Sequence, residues 1–295
     1  MKEIQFLENP VTTEIIRNAL ASAANEMVES LFRSAYTPII YEMKDCAVAL
    51  FNENLEALGQ SLGVPLFLGN LEDTIKVATE YYGSVDYYQE GDVYILNDSY
   101  RTGTHSNDMT VFSPIFHKGE LVGFAANRAH WLDVGSKDPA APMDSTDIYQ
   151  EGIRIGPLKL MDRGELRKDL VDTICMNSRF PVNAMGDLNA QIAACKTGEK
   201  RLIEIIERFG LDTLRRATHD IFIQSENIER EIVSTLPEGV YTAEGYLDND
   251  GITDELVYVK VKVTIKNGEI YIDLSGSNEM VKGSTNCGFA QTVAA

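Results

Sequence analysis

His105-Ser106-Asn107-Asp108-Met109-Thr110-Val111-Phe112-Ser113-Pro114-Ile115-Phe116 runs to a tip at His117-Lys118-Gly119, and Glu120-Leu121-Val122-Gly123-Phe124-Ala125-Ala126-Asn127-Arg128-Ala129-His130 runs back. Met109 to Phe116 and Leu121 to Asn127 have the β-branched and aromatic content of strands, and Lys118-Gly119-Glu120 joins them, so the stretch reads as a β-hairpin. Such a hairpin carries the chain out from His105 and Asp108 and back to His130, bringing together residues about 25 apart in sequence. At its base stand two imidazoles, each with a carboxylate three residues on: His105 with Asp108, and His130 with Asp133. Two imidazoles and one carboxylate can hold a divalent ion and leave coordination open for water or substrate.

One His–Asp pair alone reads better as a hydrogen bond that orders a loop. A second pair across a hairpin is harder to obtain by chance, and metal binding becomes the better reading. Asp133 then has three possible roles: a fourth ligand, an acceptor for a ligand imidazole, or a general base. Asp98 either orients His105 or caps a strand end. Arg128 either holds a substrate carboxylate or pairs with an aspartate. Glu151, in Tyr149-Gln150-Glu151-Gly152, is a candidate catalytic acid or base, with a helix-start carboxylate as the alternative. Glu42 and Asp45 read better as solvated surface charge than as cleft residues. His117 at the hairpin tip and His219 in a charged helix are expected to be exposed. No P-loop, Gly-x-Gly-x-x-Gly or Gly-x-Ser-x-Gly element is present, so any ATP chemistry must come from elsewhere.

Outward from the hairpin the pattern is mixed. A helix is expected from an N-cap at Thr12 to about Tyr36, with Ile16, Leu20, Ala23, Met27 and Leu31 on one face. Pro38 stops it, and Cys46 to Phe51 reads as a buried strand before a turn at Asn52-Glu53-Asn54. Leu71 to Tyr82 is helical, and the strand Asp92 to Leu96 delivers Asn97-Asp98 at its end. Gly135 to Ser145 is a long loop. Two helices follow, Asp187 to about Phe209 and Leu211 to about Leu236. Leu256 to Val263 then alternates, and Asn267-Gly268 marks a hairpin turn before Ile270-Tyr271-Ile272. The fold class expected is α+β: a long N-terminal helix, a strand-rich metal-binding segment, a helical pair and a β-rich tail. Residues 1–239 would form the metal-binding region. Residues 240–295 would begin a β-rich region that stops at Ala295 with an element unfinished.

The totals exclude several functions. The 295 residues are 44% hydrophobic and 24% charged, enough for a substantial core. A net charge of -19, from 26 Lys plus Arg against 45 Asp plus Glu, repels nucleic-acid phosphates and anionic membranes, and no basic patch offsets it. Cys46, Cys175, Cys195 and Cys287 are widely separated, as in a reducing compartment rather than a disulfide framework. The opening Met1-Lys2-Glu3-Ile4-Gln5 leads into no signal-peptide pattern, and no apolar run is long enough to span a bilayer. A cytoplasmic protein is expected.

Taken together, the motifs resemble the hydantoinase B/oxoprolinase family, which includes B subunits of ATP-dependent hydantoinases, the C-terminal half of 5-oxoprolinase and α subunits of acetone carboxylases. The resemblance is carried by Val11-Thr12-Thr13-Glu14-Ile15-Ile16-Arg17-Asn18, Gly91-Asp92-Val93-Tyr94-Ile95-Leu96-Asn97-Asp98, Gly103-Thr104-His105, Asn127-Arg128-Ala129-His130, Ile148-Tyr149-Gln150-Glu151-Gly152 and Asp273-Leu274-Ser275-Gly276-Ser277. It implies that His105, Asp108 and His130 hold Zn or Mn, by match to a His-x-x-Asp pair and a later His. It also implies a separate A-type partner subunit that binds ATP, in a hetero-oligomer. The activity implied is that of a metal-dependent subunit of an ATP-dependent cyclic-amide hydrolase, acting on a hydantoin, 5-oxoproline or related lactam. Asp133 would orient a ligand or take a proton, Arg128 would position substrate, and Glu151 would serve as acid or base. The alternatives are an α-type subunit of an acetone or aryl-ketone carboxylase, and a truncated scaffold without catalysis. The chain departs from the family at Asp98-Ser99-Tyr100 (usually Asp-Pro-Tyr), Thr102-Gly103 (Gly-Gly), Ser106-Asn107-Asp108 (Leu-Pro-Asp) and Trp131 (often His). The three ligands survive these changes, which bear on the substrate. Family members also continue beyond the point where this chain ends.

Overall fold

A computed structural model describes residues 6–61 and 63–294; Met1–Gln5, read above for a leader, and Ala295 lie outside that range. The described residues form an α+β fold of eight α-helices and ten strands. The helices are α1 (Pro10–Ser34), α2 (Pro38–Tyr41), α3 (Pro65–Tyr82), α4 (Ser99–Thr102), α5 (Lys168–Met176), α6 (Pro181–Phe209), α7 (Leu211–Thr235) and α8 (Phe289–Ala294). The strands are β1 (Cys46–Asn52), β2 (Ala57–Ser61), β3 (Val93–Leu96), β4 (Asp108–His117), β5 (Glu120–His130), β6 (Leu158–Asp162), β7 (Glu165–Leu166), β8 (Gly239–Leu247), β9 (Val257–Lys266) and β10 (Glu269–Asp273). They divide into two compact units. The larger contains Ile15–Pro142, Asp147–Leu211 and the chain from Cys287 onward; the smaller contains the chain up to Glu14, Met143–Thr146 and Asp212–Asn286.

The larger unit is built on an antiparallel sheet of seven strands in the order β2-β1-β5-β4-β3-β6-β7. Its centre is the β4–β5 hairpin, closed by Lys118 and Gly119 with φ of 53° and 82°. A two-residue turn with both φ positive matches the right-handed strand twist, which explains the Lys-Gly pair there. Both strands run further than the apolar pattern indicates, and the ladder ends by pairing Asp108 with His130.

Alternation along this hairpin sorts its side chains onto two faces. One face carries Phe112, Phe124 and Ala126, and with Ala47, Ala49 and Phe51 of β1 it packs under Phe67, Leu71, Ile75 and Ala78 of α3. The small alanines let α3 lie close, and Tyr94 of β3 stacks on Phe112 with ring centroids 5.1 Å apart. Each fully buried side chain of this size contributes about 1.5–3 kcal/mol. The opposite face meets α6, where Gln191 donates to the Met109 carbonyl at 2.8 Å. Gly198 of α6 packs against Met27 there; a Cβ would stand 2.6 Å from Met27 Sδ, and the flexible Met27 side chain would have to shift.

Helix starts differ from the periodicity. Thr12 lies inside α1 rather than capping it; Asn9 is the cap, its Oδ1 accepting from Val11 N–H at 2.9 Å. Pro10, Pro65 and Pro181 each open a helix earlier than apolar spacing suggests, because proline's fixed φ and missing N–H suit the first turn.

In the smaller unit, α7 precedes an antiparallel sheet in the order β10-β9-β8. Asn267 and Gly268, with φ of 55° and 72°, close its hairpin as the sequence indicates. Strand β8 is an addition, since its mixed composition carries weak alternation. All four cysteines are free thiols, Cys287 exposed and the others buried. Among the described residues no helix is long and apolar enough to cross a membrane.

Candidate metal centre

The hairpin face that begins with aromatic rings becomes polar toward the strand ends. After Phe112 opposite Ala126 comes Thr110 opposite Arg128, then Asp108 opposite His130. On the outer side of β5, β1 enters so that Asp45 C=O accepts from His130 N–H at 3.0 Å. The third contributor, His105, precedes β4 on a loop that contains Gly103 (φ 73°) and Thr104 (φ 69°). A threonine at positive φ is uncommon and marks a tightly determined turn.

His105, Asp108 and His130 each offer a ligand atom, and these atoms lie within 4.8 Å of one another. Asp108 is the hub. Its Oδ1 is 2.7 Å from His130 Nδ1. Its Oδ2 accepts the His105 backbone N–H at 2.6 Å and lies 3.3 Å from His105 Nδ1. Burial by itself would raise the Asp108 pKa, but the two imidazoles more than offset this and hold it well below the carboxylate range. In return the Asp108 carboxylate raises the pKa of His105, against its partial burial. His130 is nearly buried, whereas the His105 side chain is 60% exposed and gives the cluster an open side.

Asp45, read from sequence as surface charge, stands at the cluster with Oδ2 3.9 Å from His130 Nδ1. Burial raises its pKa, with the charges of His130 and Asp108 acting in opposite directions. The available signal was its place immediately before a wholly apolar strand. Glu42 is exposed, as expected. Glu151, in the single helical turn Ile148–Glu151, lies near enough for the His105 charge to act on it. Burial raises its pKa all the same.

Two other candidates sit differently from the sequence reading. Arg128 is fully buried and offers its guanidinium neither to solvent nor to an aspartate hydrogen bond. Its Nε donates to Thr110 Oγ1 and its Nη2 to Thr74 Oγ1, both at 2.7 Å, while Nη1 donates to Asn70 Oδ1. Burial brings its pKa down to about 10, and the Asp108 charge opposes that change, so it remains a cation behind the cluster. Asp133 turns away to Arg179, accepting from Nη1 at 2.6 Å and also from the Arg179 and Gly135 backbone. The strand alternation accounts for Trp131 as well: its indole faces α6 and donates to Gln191 Oε1 at 2.8 Å. Asp98 pairs with Arg154 at 3.3 Å rather than with His105. His117 is half-buried and His219 exposed.

Two imidazoles with one or two carboxylates form a donor set that could hold a divalent cation, and imidazoles bind it in their neutral form. The open side at His105 leaves room for a further ligand.

Comparison with known proteins follows the same line. A family model described as hydantoinase B/oxoprolinase matches residues 9–295. The chain is 32% identical over 265 residues to the caprolactamase subunit beta of Pseudomonas jessenii, covering 90% of this chain and 45% of that protein. It is 29% identical over 295 residues to a 5-oxoprolinase of Dictyostelium discoideum, covering 97% of this chain and 23% of that one. Among solved structures, the ATP-dependent caprolactamase from Pseudomonas jessenii superposes with a TM-score of 0.89 at 31% identity, over 98% of this chain and 49% of that chain. Nucleotide-free acetone carboxylase gives a TM-score of 0.87 at 20% identity, over 97% of this chain and 40% of that chain, a likeness of fold alone. The chain thus spans about half the length of the caprolactamase subunit it matches.

Proposed function

Because the chain belongs to the hydantoinase B/oxoprolinase family, we propose that it forms the metal-bearing part of an ATP-dependent cyclic-amide hydrolase, acting on a hydantoin, 5-oxoproline or related lactam. The observation that carries this reading is the meeting of His105, Asp108 and His130 at one end of the β4–β5 hairpin. These three residues would hold Zn or Mn, with Asp45 near enough to join them. A divalent ion held there supplies Lewis-acid polarisation of a carbonyl and acidifies water.

The chain's own residues supply the rest. His105, on the exposed side, borders the space that substrate enters. Glu151, whose carboxyl is held toward its neutral form by burial, carries a proton to or from the reacting group beside His105. Arg128 and Asp133 act at a distance from substrate. Buried Arg128 balances the negative charge of Asp108, and Asp133 pins the chain after β5 to Arg179. ATP would be bound by a separate A-type subunit in a cytoplasmic hetero-oligomer. The subunit names of relatives and the absence of a phosphate-binding loop in this sequence support that division.

The test is reconstitution with the ATP-binding subunit. Lactam-dependent phosphate release without bicarbonate is the expected result. A strict bicarbonate requirement would transfer the chain to the ketone-carboxylase reading. A metal-free protein whose assembly and activity are untouched by His130→Ala would leave only a scaffold role.

A further inference from the structure

We propose that Asn97 is the positioning residue for the ligand His105, holding the metal loop in place before any metal arrives. The inference rests on the metal reading above. Of the three clustered residues, Asp108 and His130 are fixed by the β4–β5 ladder. His105 lies outside the ladder, its side chain exposed on an otherwise buried loop, after two residues at positive φ. Asp108 and Arg128 bond the loop at His105 and before it, and Asn97 holds the residue that follows His105.

Asn97 is 2% exposed and sits at the end of β3, where the loop begins. Its side chain uses every hydrogen-bonding group it has. Nδ2 donates to the carbonyl of Ser106, the residue after His105, at 2.5 Å. The same nitrogen donates to the carbonyl of Ile153 at 2.9 Å. Oδ1 accepts from Ile155 N–H at 2.6 Å, and Asn97 N–H donates to the Ile155 carbonyl at 3.0 Å. One carboxamide therefore ties the His105 loop to the Ile153–Ile155 segment, which begins two residues after Glu151. Only an amide supplies two donors and an acceptor in one plane, so neither aspartate nor leucine reproduces the set. Supporting partners of this kind change metal affinity by about 10–100-fold although they never touch the ion.

The experiment measures Zn²⁺ affinity by competition with a chromophoric chelator, for wild type, Asn97→Ala, Asn97→Ser, His105→Ala and His130→Ala, and for Asn97→Ala combined with His105→Ala. Asn97→Ala is expected to weaken Zn²⁺ binding about tenfold or more. It should have no further effect once His105 is gone, because its contribution passes through that ligand. A residue that merely stabilises the fold would lower the melting temperature and leave the Zn²⁺ affinity of the folded protein unchanged. Affinity within twofold of wild type for Asn97→Ala and Asn97→Ser, or full additivity with His105→Ala, overturns the inference. If His105→Ala and His130→Ala themselves leave Zn²⁺ binding intact, the metal reading is what fails. Amide exchange in metal-free wild type needs no variant: the Ile155 N–H should be protected, and exchange at open-loop rates would equally overturn the clamp.

Discussion

Asp108 and His130 stand directly opposite each other in the β4–β5 ladder, and their side chains meet at 2.7 Å between Oδ1 and Nδ1. Backbone register thus sets the spacing of these two groups before any ligand is present. A carboxylate against an imidazole on a rigid hairpin is a preorganised pair, and little ordering entropy remains to be lost on metal binding.

Metal binding should therefore stabilise the fold. At a free Zn²⁺ concentration a hundred times the dissociation constant, the expected gain is about 2.7 kcal/mol. Thermal unfolding with Zn²⁺ and with EDTA measures it, and His130→Ala should abolish the difference. A melting temperature indifferent to Zn²⁺ in wild type would argue against a site at this cluster.

The charge coupling within the cluster gives a pH signature in EDTA. The His105 pKa is raised above 6.5, so its contribution to stability is complete below that value and is lost as pH rises through the folded-state pKa. The Asp108 pKa is lowered below 3.8, so its contribution is present above 3.8 and lost as pH falls through the folded-state pKa. The cluster accordingly stabilises the metal-free protein most between those two limits. The stability difference between wild type and His105→Ala should be largest near pH 5.5 and shrink by pH 8.5. Zn²⁺ affinity should move the opposite way, falling below neutral pH as protons reoccupy the imidazoles. A difference that grows toward pH 8.5 would contradict this coupling.

Arg128 provides a contrast between support and chemistry. Replacing it with methionine leaves Asn70, Thr74 and Thr110 without their buried donor, and the cost should be about 3 kcal/mol of unfolding free energy by urea titration. The Michaelis constant of the protein that remains folded should hold within about threefold, since the guanidinium is remote from solvent. A large rise in KM at unchanged stability would return Arg128 to substrate binding.

Glu151→Gln keeps the shape of the side chain and removes its proton. The expected outcome in the reconstituted enzyme is a fall in kcat of about 100-fold with Zn²⁺ content unchanged. Full activity in the glutamine variant would remove Glu151 from proton transfer.

The sequence by itself determined the hairpin and the two His–Asp segments at its base, while the choice of His105, Asp108 and His130 among them came from the family resemblance. The hairpin rests on local rules: alternation along a strand and the Lys118-Gly119 turn. Counting from the Lys118-Gly119 turn, which sets His117 opposite Glu120, would place Asp108 opposite Ala129; a register shift between Ile115 and Phe116 brings His130 opposite Asp108 instead. Helix starts at Pro10, Pro65 and Pro181 were less legible, because first turns are set by proline and capping groups rather than by apolar spacing. Tertiary structure alone decided the surroundings of the cluster. Asp45 reaches it because β1 pairs beside β5, a contact between distant segments that no local pattern encodes. Arg128 is enclosed because α3 sets Asn70 and Thr74 over that point of the sheet, and Asp133 is claimed by Arg179 at the entry to α6. Asn97 looks like an ordinary strand-end residue until the Ser106 and Ile153 carbonyls arrive on either side of its amide. The difference is physical. Strand periodicity is written in neighbouring residues, whereas the partner of a buried polar group is chosen by which distant segment packs against it.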